Sequence, residues 1–216
     1  QMTSLGPAYD REWLVTTPEG KFITQRTHPQ MAQIETAITA EDLILSVSGD
    51  SIKIPLKSQN ENKYAEVTVF MAKINAEDQG SEASAWLSQF FNEPVRLFRY
   101  TEKSKRIVDG KYTHGTEVET RFTDSRPILV TSTESLAALN RELTEAIPIT
   151  RFRSNIVLEG AEEWGEDFYT SLKIGKVVQI RNSSPCSRCK VTTVDQIKGI
   201  VAGPEPLSTL SRIRKK

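Results

Sequence analysis

The sequence predicts an α+β protein, mainly β, with barrel-like sheets and a few helices. Many short segments are rich in β-branched and aromatic residues, and turns containing Gly or Pro separate them. A few segments change to the apolar spacing of a helix. Strands and helices do not alternate regularly, which argues against a doubly wound parallel sheet.

Antiparallel hairpins are predicted in the first third of the chain. Pro18 and Gly20 are typical turn residues, because Pro fixes φ and Gly permits positive φ. The segment around Gly49 has the same character and separates two further strand-like runs. The strands predicted here are residues 11–16, 22–24, 43–47, 51–56 and 64–70.

Residues 81–91 change to helical spacing. Large apolar side chains recur at Trp86, Leu87, Phe90 and Phe91, as expected for a helix face in the core. Ser81 is a suitable N-cap, and Pro94 ends the helix.

Residues 102–121 are highly charged and poor in large apolar side chains. We expect an exposed loop here that divides the chain into a domain at residues 1–101 and another at 122–216. Ser132 or Thr133 is expected to cap a helix in the second half, and Gly175 to bend a tight hairpin. The elements predicted there are strands 127–131, 152–158 and 190–194, the hairpin 172–180, and helices 134–143 and 206–214.

The composition excludes several classes of partner. Lys+Arg and Asp+Glu are 28 each, so a zero net charge gives no general attraction to nucleic acid or an anionic membrane. No apolar run approaches the roughly 18 residues that a membrane span needs. Only two cysteines occur, which favours a reducing compartment and predicts a cytoplasmic location. Because Gln1 is not an initiator methionine, we expect a preceding segment in the full protein.

The cysteine pair, Cys186 and Cys189, is the densest chemical signal. A zinc site needs about four ligands, and a dithiol redox pair needs a strand-to-helix setting, so both fit poorly. Two buried structural cysteines remain an alternative. If the segment is extended, only one thiol faces a given pocket. Arg188, between the two, favours a thiolate, which is the form that binds metals.

Several arginines are suited to hold an anion, because the guanidinium fork matches phosphate geometry. Arg153 and Asn155 have the parity of one strand face, so both are predicted to donate to a single anion. Arg11 and Arg26 accompany the first predicted hairpin.

An ordered set of segments resembles the MOSC family, the molybdenum cofactor sulfurase C-terminal type. It is most similar to the two-part members, the amidoxime-reducing components and their YcbX-like bacterial relatives. The matching segments are residues 10–15, 20–26, 124–127, 134–136, 152–157, 185–189 and 192–195.

The resemblance implies an N-terminal MOSC-type β-barrel-like domain packed on a MOSC β-barrel with a few helices. It implies that Cys189, rather than Cys186, is the catalytic residue and the thiolate ligand of the metal in a molybdenum cofactor, Mo-molybdopterin. The residues expected to hold the pterin and its phosphate are Arg11, Arg26, Ser132, Thr133, Arg153, Asn155 and Arg188.

The chain departs from the family pattern at three places. It contains neither the Lys-Ser strand before the Asp10-Arg11 motif nor the final Phe-Gly-Gln-Asn and Val-Gly-Asp segments. We therefore expect both domains to be truncated. Ser154 stands where the family usually has Pro, which is compatible with an extended conformation.

Two functions follow from the resemblance. The first is an oxidoreductase that reduces small N-hydroxylated compounds, with electrons from a partner such as a ferredoxin or a b-type cytochrome with its reductase. The second is a carrier of the molybdenum cofactor or of sulfur, working through a cysteine persulfide.

Overall fold

The computed structural model of the protein describes residues 1–58, 63–110, 113, 115 and 117–214. It confirms an α+β architecture that is mainly β. The strands are β1 (Met2–Thr3), β2 (Gly6–Pro7), β3 (Trp13–Thr16), β4 (Glu35–Ile38), β5 (Asp42–Val47), β6 (Asp50–Pro55), β7 (Tyr64–Val69), β8 (Ala72–Asp78), β9 (Arg96–Arg99), β10 (Val130–Ser132), β11 (Ile156–Leu158), β12 (Ser171–Ile174), β13 (Val178–Arg181), β14 (Val194–Asp195) and β15 (Ile200–Val201). The helices are α1 (Ser81–Phe91), α2 (Thr133–Asn140) and α3 (Leu207–Ile213).

Two antiparallel sheets build the N-terminal half. One has the strand order β3–β9–β8–β7 and the other the order β4–β5–β6. The first sheet curls into a half-barrel. The hairpin β5–β6 and strand β7 confirm the predicted strands, whereas β8 and β9 were not predicted.

Two apolar cores lie on opposite faces of the first sheet. Leu97 of β9 packs with Leu87 of α1, and both are almost fully buried. The next residue, Phe98, packs with Val67 and Ile74 on the other face. This alternation follows from the two-residue period of a strand. The prediction that the apolar face of α1 lies in the core is confirmed.

Helix α1 has the predicted bounds but a different cap. The N-cap residue is Gly80, with φ 93°, rather than Ser81. The helix ends at Asn92, whose left-handed conformation (φ 54°) turns the chain before Pro94.

The second half is built from short pairings. Strand β10 runs parallel to β11, and α2 follows β10 directly. Ser132 caps α2 as predicted, because its Oγ accepts a hydrogen bond from Ser135 N at 3.1 Å. The β12–β13 hairpin around Gly175 and the C-terminal helix α3 are also confirmed.

The predicted strand at residues 190–194 is wrong over most of its length. Lys190–Thr193 forms a 3₁₀ turn, and only Val194 begins a strand. The hydroxyls of Thr192 and Thr193 donate to the carbonyls of Cys189 and Lys190. These side-chain bonds favour the turn over the extended conformation.

The predicted strand at residues 152–158 is also too long. Ile149–Phe152 is a 3₁₀ turn, Arg153 is left-handed (φ 54°), and the strand begins only at Ile156. Arg153 and Asn155 therefore do not share a strand face, and their proximity has another cause. The first hairpin is likewise shorter than predicted, since its return is a single bridge between Thr16 and Phe22.

The charged segment at residues 102–121 is only partly exposed. Val108 and Thr120 are buried, and Ile107 forms a bridge with Glu119. The prediction of a wholly exposed loop is therefore wrong where these residues pack. Lys111 and His114 lie outside the described residues. Within the described ranges, no helix combines the length and apolar character needed to cross a bilayer.

Candidate functional site

A cleft of about 1200 Å³ is lined by residues from both halves of the chain. Arg11 and Arg26 come from the first half. The other predicted residues that line the cleft are Arg153, Asn155, Arg188 and Cys189. The structure therefore brings together residues that are far apart in sequence.

Cys189 is a free, half-buried thiol at the entry to the 3₁₀ turn Lys190–Thr193. Arg26 lines the same cleft and forms an ion pair with Asp124. Burial lowers the pKa of Arg26, but the hydrogen bond and charge of Asp124, together with the nearby Cys189, outweigh it. The pKa of Arg26 is therefore raised above its ordinary value.

Arg188 faces the other cysteine. Its Nη1 donates to Sγ of Cys186 at 3.3 Å, and its Nη2 donates to the carbonyl of Phe152 at 2.8 Å. Cys186 is exposed. The residues between 182 and 189 form no strand, and both cysteines border the cleft. The expectation that only one thiol faces the pocket was made for an extended segment, and it stays a prediction.

The Nε atom of Arg188 is buried and has no hydrogen-bond partner among the described residues. Leaving a buried donor unsatisfied costs about 1–3 kcal/mol. An acceptor on a bound ligand would remove that cost.

A polar network joins the two halves beside the cleft. Asp10 forms an ion pair with Arg11 and accepts a hydrogen bond from Asn155 Nδ2 at 2.8 Å. Asn155 Oδ1 in turn accepts from Leu129 N at 2.9 Å. Arg11 Nη2 donates to the carbonyl of Arg153 at 3.0 Å. The network, rather than a shared strand face, holds Asn155 and Arg153 at the same site.

The charge of Arg153 is only partly compensated at the site. Burial, and then the neighbouring charge of Arg11, lower the pKa of Arg153 below its ordinary value, and Asp10 and Asp124 only partly offset them. The side chain still has exposed surface, and it also lines a second cavity of about 550 Å³ with Asn155. An anion bound here would relieve the repulsion between the two guanidinium groups.

Ser132 and Thr133 are absent from the residues that line the cleft. The Ser132 hydroxyl lies 3.0 Å from a carboxylate oxygen of Glu166, and Ser135 donates to the same oxygen at 2.7 Å. The hydroxyl of Thr133 is directed to Glu134 and the carbonyl of Leu158. Their role in holding a phosphate stays a prediction.

Asp124 is a residue of the site that the sequence reasoning did not single out. It is exposed, lines the cleft and pairs with Arg26. Residues 124–127 were recognised as a family segment, but nothing in the local pattern links an acidic residue to a distant arginine. Within the described part of the chain, no group of three or more His, Cys, Asp and Glu side chains could hold a metal ion by itself.

Two domain families match the chain. The MOSC N-terminal beta barrel domain matches residues 1–94, and the MOSC domain matches residues 117–216. The match boundaries lie near the charged segment that we expect to separate two domains.

The chain is also similar to curated proteins over most of its length. Mitochondrial amidoxime-reducing component 1 of Xenopus laevis is 31% identical over 222 residues, and the human component 1 is 31% identical over 217. Mitochondrial amidoxime reducing component 2 of Bos taurus is 32% identical over 213 residues. Each alignment covers 97% of this chain and 63% of the relative. The chain therefore spans less than two thirds of the length of these relatives.

These matches agree with the mainly β fold in two halves. The chain belongs to the MOSC family, with an MOSC N-terminal β-barrel domain followed by a MOSC domain.

Proposed function

We propose that the protein is an oxidoreductase that binds a molybdenum cofactor and reduces N-hydroxylated compounds. The observation that carries this proposal is a free thiol, Cys189, at a cleft whose cationic side chains come from both halves of the chain. The relatives are named for amidoxime reduction, and an amidoxime is an N-hydroxylated compound. The MOSC domain match and the thiol with its neighbouring cationic side chains both support a molybdenum cofactor as the ligand.

The residues present fit a molybdenum-pterin group. Cys189 offers one soft sulfur ligand, so the remaining ligands would come from the cofactor itself. Arg153 and Arg11 form a cationic pair that a phosphate would neutralise. The unsatisfied Nε of Arg188 provides a further donor.

The protein residues would bind and orient rather than carry out the redox step. When bound, the cofactor supplies the two-electron chemistry that breaks the N–O bond. Reduction of one N-hydroxyl group consumes two electrons and two protons and releases water. The cleft opens to solvent, which can supply the protons. Arg26 lines the same cleft as Cys189 and would add a further positive charge beside the bound group.

Electrons would come from a partner protein, because the sequence carries no motif for a flavin, haem or iron–sulfur cluster. A ferredoxin or a b-type cytochrome with its reductase is the expected donor. The cytoplasmic location expected from the cysteine usage stays a prediction, since the relatives are named as mitochondrial proteins.

The test compares Cys189→Ala with Cys186→Ala. Each variant is purified from cells that make the cofactor, and molybdenum content and amidoxime reduction with a reduced viologen are measured. We expect Cys189→Ala to abolish reduction, because the protein ligand is lost, and Cys186→Ala to keep most of it. Equal losses in the two variants would contradict a single thiolate ligand.

A second function, transport of the cofactor or of sulfur, is favoured by one observation. Cys186 is exposed, so a sulfur donor can reach its thiol, and its sulfur lies 3.3 Å from a guanidinium nitrogen of Arg188. Sulfur that cyanide releases from the purified protein, together with no reductase activity, would favour the carrier. Stoichiometric molybdenum with reductase activity would favour the enzyme.

A further inference from the structure

A glutamine of the cleft has a hydrogen-bond donor that the described part of the protein does not use. Gln25 lines the cleft, yet its side chain is almost buried, with 5% of the residue exposed. Its Oε1 accepts a hydrogen bond at 3.0 Å from Nε2 of Gln196, in the other half of the chain. Its own Nε2 has no partner among the described residues. Because an almost buried donor without a partner is unfavourable, a ligand that offers an acceptor in the cleft would gain by pairing with it.

The orientation of the Gln25 amide follows from the bonds of its partner. The Nε2 atom of Gln196 also donates to the backbone carbonyl of Val194 at 3.2 Å. A carbonyl only accepts, so the Gln196 atom that contacts both groups is the nitrogen, and the Gln25 atom that meets it is the oxygen. Gln25 therefore turns its oxygen towards the second half of the chain and keeps its N–H groups for the cleft.

Both glutamines lie in turns that local hydrogen bonds fix. The carbonyl of Thr24 accepts from the backbone N–H groups three and four residues further on, at 3.0 and 2.9 Å, and so closes the turn that carries Gln25. The carboxylate of Asp195 accepts two backbone hydrogen bonds at 3.0 Å in the turn that carries Gln196. The donor is thus held in one direction before any ligand arrives, which lowers the entropic cost of binding.

The chemistry of this donor limits what it can recognise. The Gln25 amide is neutral, and its oxygen is already taken by Gln196, so it can only donate. A phosphate pairs better with the cationic side chains of the cleft. A neutral N–H donor suits a carbonyl oxygen or a ring nitrogen, and a pterin carries both kinds of acceptor.

We propose that Gln25 donates a hydrogen bond from Nε2 to an acceptor atom of the pterin, and that Gln196 is the positioning residue that fixes the direction of this donor. The proposal rests on the proposed function, in which the cleft holds a molybdenum-pterin group. It adds a neutral contact to the ring system, distinct from the contacts of the arginines with the phosphate.

The test measures how fast the protein releases its cofactor. Each variant is purified from cells that make the cofactor and is then dialysed. The molybdenum and the pterin that remain are followed over time, the pterin by its fluorescence after oxidation. Thermal unfolding checks that each variant is folded. The control is Gln89→Glu, because Gln89 is exposed on α1 and lies outside the residues that line the cleft.

Three variants separate the donor from the bond between the two glutamines. Gln25→Glu keeps an oxygen for Gln196 but has no N–H for the cleft, and Gln25→Met removes both groups without adding a charge. Gln196→Glu has no donor for Gln25, so the Gln25 amide would donate to the new carboxylate instead of to the cleft. We expect all three to release the pterin about 2- to 12-fold faster than the parent, which is the effect of losing one neutral hydrogen bond. The control should match the parent.

Two results would show that Gln25 is not a donor to the pterin. If Gln25→Glu releases the pterin faster but Gln25→Met does not, repulsion by the added charge explains the loss. If Gln25→Met releases it faster but Gln25→Glu does not, the bond to Gln196 is what matters. If both Gln25 variants lose the pterin faster while Gln196→Glu matches the parent, the positioning role of Gln196 is wrong.

Failure of this proposal is distinguishable from failure of the proposed function. If all folded variants keep molybdenum and pterin as long as the parent does, the roles of both glutamines are wrong while the proposed function stands. If the parent contains neither molybdenum nor pterin, the proposed function is wrong and the role of Gln25 falls with it.

Discussion

Replacement of Asn155 by Ala removes two hydrogen bonds beside the cleft. One is a neutral bond from Leu129 N at 2.9 Å, and the other is a bond to the Asp10 carboxylate at 2.8 Å. A neutral bond contributes about 0.5–1.5 kcal/mol and a bond to a charged group about 1.5–3 kcal/mol. Because Asn155 is half-buried, water in the variant replaces part of the lost hydrogen bonding. We therefore expect a loss of about 2–3 kcal/mol in the free energy of unfolding, and a fall in Tm of roughly 4–12 °C for a chain of this size.

The assay is thermal and urea unfolding followed by circular dichroism. Asn182→Ala is the matched control, because its side chain also makes two hydrogen bonds, to the carbonyls of Glu166 and Tyr169. These bonds stay within the second half of the chain. Only Asn155→Ala should separate the unfolding of the two halves into distinct steps, since it alone cuts a connection between them. A Tm that falls by less than about 2 °C in Asn155→Ala would refute the stabilising role of the network.

Two further predictions concern charge. Arg153→Gln should weaken binding of inorganic phosphate to the cofactor-free protein about tenfold or more, because a charge-assisted hydrogen bond of about 1.5–3 kcal/mol is lost. The affinity is measured by calorimetry, with Arg212→Gln as the control, because that change breaks an exposed ion pair with Glu142 outside the cleft. Equal phosphate affinity in the two variants would contradict the prediction. The backbone N–H groups of Lys198 and Ile197 lower the pKa of Asp195. Because the pKa of Asp195 is lower in the folded state than in the unfolded state, its charged carboxylate stabilises the fold above the unfolded pKa of about 3.9. This stabilisation is lost as pH falls through the pKa that Asp195 has in the folded state. Asp195→Asn should therefore lower Tm at pH 7 and have little effect at about pH 2, and an equal loss at both pH values would count against this.

The local elements could be predicted where side-chain period and turn residues decide the conformation. Helix α1 and the β5–β6 hairpin follow directly from their patterns, and both occur as expected. The segments next to the site could not be predicted in this way. Arg153 adopts a left-handed conformation, and the two threonines after Cys189 bond back to the chain. Both features oppose the extended conformation that β-branched neighbours favour, because local side-chain bonds and loop packing outweigh propensity.

The site itself shows a second limit of sequence reasoning. Spacing identified the cysteine pair, and Arg188 was the evident cation beside it. A second cation, Arg26, comes from the first half and joins Cys189 in the cleft only when the two halves pack together. No local pattern encodes that arrangement.

The origin of the cations has a consequence for how the two halves cooperate. The first half supplies Arg11 and Arg26, and the second supplies Arg153, Arg188 and Cys189. Neither half alone would bring Arg26 into the cleft that Cys189 lines, or place Arg11 beside Arg153. If the protein binds the proposed cofactor, we expect its binding and the packing of the two halves to be linked, because a ligand that binds only the packed form stabilises that form by mass action. A substitution that loosens the Asp10–Asn155 connection should therefore weaken cofactor binding, even though Asn155 contacts neither cysteine. If the cleft residues acted only locally, such a substitution would leave cofactor binding unchanged.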